Sequence, residues 1–108
     1  MTKSNHWFYL LAAGLFEIGW PLGLKLAANP EMKFWGPAMA ASCMAVSGAL
    51  LWLALKGIPI GTAYAVWSGI GAAGTFVIGV LCFADPSLPL RWLGLALIVA
   101  GVVCLKLG

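Results

Sequence analysis

Glu17 sits near the middle of an apolar run covering about residues 7–28. An acidic side chain at bilayer depth is expensive, roughly 2.5–3.5 kcal/mol for Asp on insertion scales. Such groups face a cavity and mark the route of an ion or a proton. Desolvation disfavours the charged form of a carboxyl, and a nearby cation favours it. A glutamate in that setting can trade protons for cations. Its other use is as a neutral, hydrogen-bonded tie between helices.

The residues around Glu17 fit the first use. Leu10, Ala13, Gly14, Glu17, Trp20, Pro21 and Leu24 share one face at helical spacing. Gly14 leaves room beside the carboxyl, and Trp20 brings an indole N–H and an aromatic wall one turn away. Pro21 lies four residues after Glu17, so the Glu17 carbonyl loses its usual helical donor. Carbonyl and carboxyl would then offer acceptors on one turn, unless the ring is only a packing kink. Farther on, Tyr64 and Trp67 are spaced i, i+3, with Gly61, Ser68, Gly71 and Thr75 on an overlapping face. Within a membrane the phenol O–H and indole N–H need partners, and the Glu17 carboxyl is the expected one. Ser47 adds a hydroxyl from another segment, with Cys43 and Leu51 on its face. Aromatic faces beside an anion make a site for a flat or hydrophobic cation.

These groups need a scaffold that holds them in hydrocarbon, and the composition supplies one. Of 108 residues, 63% are hydrophobic and 8% charged, with a mean hydropathy of +1.02. Soluble domains are about 45–50% apolar and about 25% charged. Six basic and three acidic side chains cannot cover a water-facing surface. A soluble globule is excluded, and so is a disordered chain. A membrane span takes ~20 mostly apolar residues. Charges and turn residues divide the chain into four such segments, at about 7–28, 34–55, 58–84 and 90–107, within a single domain over 1–108. The breaks Asn29-Pro30-Glu31, Lys56-Gly57-Ile58-Pro59 and Asp85-Pro86-Ser87-Leu88-Pro89 carry turn chemistry. They are short, so successive helices pair antiparallel. The expected fold class is an all-α membrane protein of four transmembrane helices with short loops. The first segment is too long for a signal-peptide core of 7–15 residues, and it holds a glutamate; it is read as a retained helix. In the fourth segment, Gly94, Ala96, Ala100 and Gly101 suit close helix packing, within one copy or between two.

The basic residues are Lys3, Lys25, Lys33, Lys56, Arg91 and Lys106. None are adjacent, whereas nucleic-acid binding shows a clustered basic footprint; no nucleic-acid partner is expected. Lys3, His6 and the other cations read as interfacial anchors in contact with the lipid bilayer. Four spans put Lys3, Lys56 and Lys106 at one membrane face and Lys25, Lys33 and Arg91 at the other. Orientation follows Lys/Arg asymmetry, and three against three gives none. Both orientations are therefore expected, which lets two copies pair upside-down. Cys43, Cys82 and Cys104 lack CxxC spacing and read as small buried hydrophobes. No phosphate-binding loop, nucleophile–base pair or metal-ligand cluster is present. Neither an enzyme, a cofactor nor a metal is expected. Residues and spacing point to a proton-coupled transporter of a small organic cation, with an oligomer enclosing the pathway.

The strings GLFEIGWPLGLK around Glu17 and PIGTAYAVWSGIGA around Tyr64 resemble the small multidrug resistance family. The resemblance covers essentially the whole chain, including LGLALIVAGVVCLKLG in the fourth segment. Trp20 after the glutamate, together with GTAYAVW and GIGA, is similar to the guanidinium-exporter subtype. The resemblance implies an antiparallel homodimer in the bacterial inner membrane that exchanges protons for guanidinium-type cations by alternating access. It implies that Glu17 is the shared proton and substrate site, one from each copy. Gly14, Trp20, Ser47, Tyr64 and Trp67 match pocket positions, with Trp20 and Ser47 orienting the glutamates. Pro21 stands where small residues are common in this subtype, beside the pocket, and suggests acceptance of substituted guanidines. The glycine-rich third segment would be a hinge. Two other readings are carried: an exporter of hydrophobic quaternary ammonium compounds, and a non-transporting subunit of a membrane complex.

The charge balance yields a test of orientation. Two lysines added after Gly108 should drive every copy into one orientation, because Lys/Arg excess sets the cytoplasmic side. Reporter tags at that terminus should then signal from one side only, and activity should vanish until an oppositely biased copy is co-expressed. Full activity of the biased chain alone would contradict the upside-down pair.

Overall fold

The computed structural model describes residues 3–108, with side chains from Asn5 onward. Among these residues the chain forms α1 (Lys3–Leu26), a short 3₁₀ turn (Pro30–Met32), α2 (Trp35–Ala54), α3 (Ile60–Cys82) and α4 (Pro89–Leu107). Each of the four α-helices is long and apolar enough to cross a membrane. The turn residues explain the breaks. Asn29 precedes a proline and so leaves the helical region, and its side chain accepts from the Glu31 N–H at 3.1 Å. Pro59 is the N-cap of α3, and Pro89 opens α4, where its missing N–H costs nothing. The helical ends depart from the expected segments. α1 starts earlier, because nothing between Lys3 and Trp7 breaks a helix, and it stops at Leu26. α3 stops at Cys82 because Ala84 takes a left-handed φ of 55°, letting the Asp85 N–H return to the Gly79 carbonyl at 3.1 Å.

Interhelix contacts fix directions. Gly19 meets Cys43 and Gly23 meets Gly36 and Ala40, so α1 and α2 run antiparallel. Gly14 meets Ile70, Glu17 meets Gly71 and Ile18 meets Gly74, so α1 and α3 rise together. α4 returns along α3, with Gly69 against Val102 and Phe76 edge-on to Trp92 at 5.2 Å. The result is a slab with extents of 44 × 34 × 17 Å. Its small core gathers Leu10, Ala54, Ile58, Ala63 and Val66 where α1, α2 and α3 meet. No residue of α4 is buried.

One expected anchor and the three cysteines depart from expectation. His6 is buried rather than interfacial, because its ring packs under Gly57 of the α2–α3 connection. The anchor expected at Lys3 lies outside the described side chains. Cys82 and Cys104 are exposed in the protomer and Cys43 is half-buried, so none is a core hydrophobe; all three are free thiols. Lys25 stands in the last turn of α1. The remaining cations each lie over an aromatic ring, as Lys56 does over Trp52 at 4.3 Å and Lys106 over Trp7 at 5.2 Å.

The α1–α2 crossing is backbone against backbone. A Cβ on Gly23 would come within 2.6 Å of the Gly36 carbonyl oxygen and 2.8 Å of the Ala40 nitrogen. Neither atom can rotate away. Gly23→Ala should therefore lower stability in detergent by about 1–3 kcal/mol, the usual cost of overpacking. Gly48→Ala on α2 meets nothing within 4 Å and should be neutral or gain up to about 1 kcal/mol of helix propensity. Thermal unfolding of the two variants side by side checks the contrast; equal stabilities would mean that the helices do not touch at Gly23.

Candidate functional site

The site is built on the face where α1, α2 and α3 converge. Glu17 is half-buried and rests against α3 at Gly71. A Cβ on Gly71 would overlap the Glu17 carboxyl, so only hydrogen fits there. Trp20, one turn along α1, donates its indole N–H to Glu17 Oε1 at 3.0 Å. The carboxyl thus has a fixed direction and a polar partner. It opens into a cavity of about 410 Å³ walled by Trp20, Pro21, Met44, Tyr64 and Trp67, with Ser68, Ala72 and Thr75 along α3. The rings of Tyr64 and Trp67 meet at 5.6 Å and 46°, forming one aromatic side. α4 contributes nothing to this wall.

Ser47 and Gly14 stand apart from the cavity. The Ser47 hydroxyl donates to the Ala13 carbonyl at 2.6 Å and accepts from the Trp67 indole N–H at 2.8 Å. Ser47 is fully buried. It ties α1, α2 and α3 together one turn below the carboxyl and does not touch Glu17. Trp67, expected to donate to Glu17, is held by Ser47 instead, while Tyr64 brings its ring to Trp67. Register is the reason: Ser47 faces Ala13, a full turn before Glu17. Gly14 is buried against Ile70, so it permits helix packing rather than lining the cavity. Of the residues expected to form the pocket, Glu17, Trp20, Pro21, Tyr64 and Trp67 converge on the cavity, and Ser47 and Gly14 do not.

Ser68, Gly71 and Thr75, placed by spacing on the face of Tyr64 and Trp67, line the cavity with them. Sequence reasoning missed Met44, which offers no signal, since its place depends on how α2 crosses α1. Among the described residues no three His, Cys, Asp or Glu side chains gather to hold a metal ion. The arrangement can hold an organic cation: one carboxyl, aromatic faces for a flat or apolar cation, and an open side.

The family model described as Small Multidrug Resistance protein matches residues 5–98. A protein named guanidinium exporter from Salmonella typhimurium is 44% identical over 101 residues, covering 94% of this chain and 95% of its own. Guanidinium exporters of Citrobacter freundii and Proteus vulgaris are also 44% identical, over 94% of this chain and 95% and 96% of theirs.

The contact between Glu17 and Gly71 can be probed without any substrate. In micelles with 15N-labelled tryptophan, the Trp20 indole signal should shift in Glu17→Ala, which removes its acceptor. Gly71→Ala forces the carboxyl off α3 and away from Trp20, so the Trp20 signal should move the same way. The lost bond should also cost stability, about 0.5–1.5 kcal/mol for a typical hydrogen bond. An unchanged Trp20 signal in Gly71→Ala would show that Glu17 does not rest on Gly71.

Proposed function

This chain belongs to the small multidrug resistance family, and from that footing we propose that it exports guanidinium or substituted guanidinium cations in exchange for protons. It is a multi-pass protein of the bacterial inner membrane. The working unit is an antiparallel homodimer with alternating access. Protons and substrate compete for two Glu17 carboxylates, one from each copy.

The observation that carries this reading is the Glu17 carboxyl, held by Trp20 in a cavity walled on one side only. In the protomer the Glu17 cavity stays open on the side away from α1 and α3. A second copy facing it supplies the missing wall and a second carboxylate. The exposed α4 offers the contact: Gly94 and Gly101 meet nothing within 4 Å in the protomer, and small residues allow close approach in lipid. Equal numbers of basic residues at the two membrane faces support both orientations. The names of the similar exporters support guanidinium as cargo.

Substrate chemistry separates guanidinium from a quaternary ammonium ion. Guanidinium is planar and presents several N–H donors to carboxylates; a quaternary ammonium offers charge and apolar surface alone. Trp20 gains its purpose with the first, because an oriented carboxyl matters only to a directional ligand. Gly14, Ser47, Trp20, Pro21, Tyr64 and Trp67 then act on the cation through walls and packing. No bond is made or broken in the cargo, so the role is transport, not enzymatic catalysis. Nothing in the cycle requires a cofactor.

Glu17→Gln tests the centre of the proposal. Gln keeps the size of the side chain and still accepts from Trp20, so the dimer should fold. It cannot release a proton or balance a cation. Guanidinium-driven proton movement in proteoliposomes should fall to the level of empty vesicles. Coupled exchange at the unaltered rate would remove Glu17 from the mechanism.

A further inference from the structure

Thr75 lines the Glu17 cavity, yet exchange at the carboxyl gives it no task. Its hydroxyl oxygen is buried without a hydrogen-bond partner among the described residues. A threonine inside a helix ordinarily returns its hydroxyl to a carbonyl one turn back, and buried polar groups are as a rule paired. Thr75 stands four residues after Gly71, the residue against the Glu17 carboxyl. That is one helical turn, about 6 Å along α3 at 1.5 Å per residue. The unpaired hydroxyl and the carboxyl thus belong to one cavity, a turn apart.

The indole donors of this region are already spent. Trp20 gives its N–H to Glu17, and Trp67 gives its N–H to Ser47. Pro21 has no N–H, so the Glu17 carbonyl lacks its ordinary helical donor. The carboxyl keeps a second oxygen, and the hydroxyls of Ser68 and Thr75 accept as readily as they donate. The wall is therefore rich in acceptors and poor in donors. Its complement is a ligand that only donates. Guanidinium is such a ligand, with three amino groups in one plane and no acceptor. Its length also fits. Two amino groups placed on a carboxyl leave the third pointing away from it. With hydrogen bonds of about 2.9 Å at each end and about 2.3 Å between two nitrogens, the reach is about 8 Å at full extension. That covers the one-turn offset to Thr75.

We propose that the Thr75 hydroxyl accepts from the third amino group of a guanidinium cation whose other two amino groups lie on Glu17. Threonine in a helix divides between two rotamers, so the hydroxyl turns toward the cation without moving the backbone. This assignment rests on the cation-export reading and adds to it what the site asks of its cargo beyond charge and planarity. In the antiparallel homodimer the two Thr75 side chains lie on opposite sides of the paired carboxylates. A cation arriving from either membrane face meets one of them.

Formamidinium isolates this contact, because it is planar, singly charged and offers two amino groups to a carboxyl but has hydrogen in place of the third. Competition between the two cations in proteoliposomes should favour guanidinium about tenfold, the lower end of what one hydrogen bond to a charged group contributes. Thr75→Val keeps the shape of the side chain and removes the hydroxyl. The guanidinium KM should rise about tenfold, the inhibition constant of formamidinium should stay where it is, and the preference should vanish. Thr75→Ser should retain the preference. Thermal stability of Thr75→Val in detergent should not fall, since the hydroxyl has no bond to lose within the protomer. Equal competition by the two cations in the unaltered protein would overturn the assignment, as would an unchanged preference in Thr75→Val or an equal weakening of both cations. If Thr75→Val does not fold, Thr75→Ala against Thr75→Ser decides on the same ratio. Absence of guanidinium exchange in the unaltered protein is a distinct result that overturns the export reading and this assignment together.

Discussion

A carboxyl group cannot sit in hydrocarbon without something to answer its charge or its hydrogen-bonding capacity, and the protomer is organised around that constraint. Glu17 is answered from its own helix by Trp20, at 3.0 Å. It is given space by the next helix but one, at Gly71, where a methyl group would already overlap it. The indole fixes direction and the glycine fixes depth. Both leave the charge itself unbalanced. A neutral donor and an absent side chain steady a carboxyl without supplying a counter-ion, as the proposed exchange of a proton for a cation requires. An arginine in Trp20's place would quench it permanently.

The walls are steadied by a different device. Ser47 joins the Ala13 carbonyl to the Trp67 indole, so one hydroxyl on α2 locks α1 to α3 through two short bonds. Because Ser47 is fully buried, either bond lost would strand a polar group. This places the rigid part of the protomer below the carboxyl, where the small core also gathers. Above it, toward Lys25 and Asp85, α1 and α3 separate enough to leave a cavity of about 210 Å³ between them. α4 takes no part in the tie, so the aromatic wall and α4 can answer to different neighbours.

Much of this was legible in the sequence, and the boundary is physical. Four helices follow from three turn-rich breaks in an otherwise apolar chain, since composition and punctuation are local properties. Glu17, Trp20 and Pro21 follow from spacing on one helix, and so do Tyr64 and Trp67. What could not be read depends on register between helices. Ser47 was expected beside the glutamate, yet its α2 position faces Ala13, one turn earlier. His6 was expected at the interface, yet the α2–α3 connection folds over it at Gly57. Spacing puts Gly71 on the face of Tyr64 and Trp67, but not against a particular α1 residue. Its particular role appears only when Glu17 is set against it. Exposure of Cys82 and Cys104 has the same origin, because an apolar run does not say which face meets another helix.

The distribution of the cations bears on how such a chain could work as a pair. Lys56 and Lys106 lie over Trp52 and Trp7 at one end of the slab, and Lys25, Lys33 and Arg91 lie over Phe83, Phe34 and Phe76 at the other. Each end carries the same chemistry, a cation on an aromatic ring, and with Lys3 counted from the sequence the two ends hold three basic residues each. In the proposed antiparallel homodimer this equality has an energetic consequence. Opening to one side of the membrane and opening to the other are then the same structure with the copies exchanged. Two states related by symmetry have equal free energy, so their equilibrium constant is one before any gradient is applied. No ligand need supply the several kcal/mol that would otherwise be required to populate a rare state. In the proposed exchange, the direction of transport would then be left to the proton gradient, acting through whichever of proton or cation reaches Glu17 on each side.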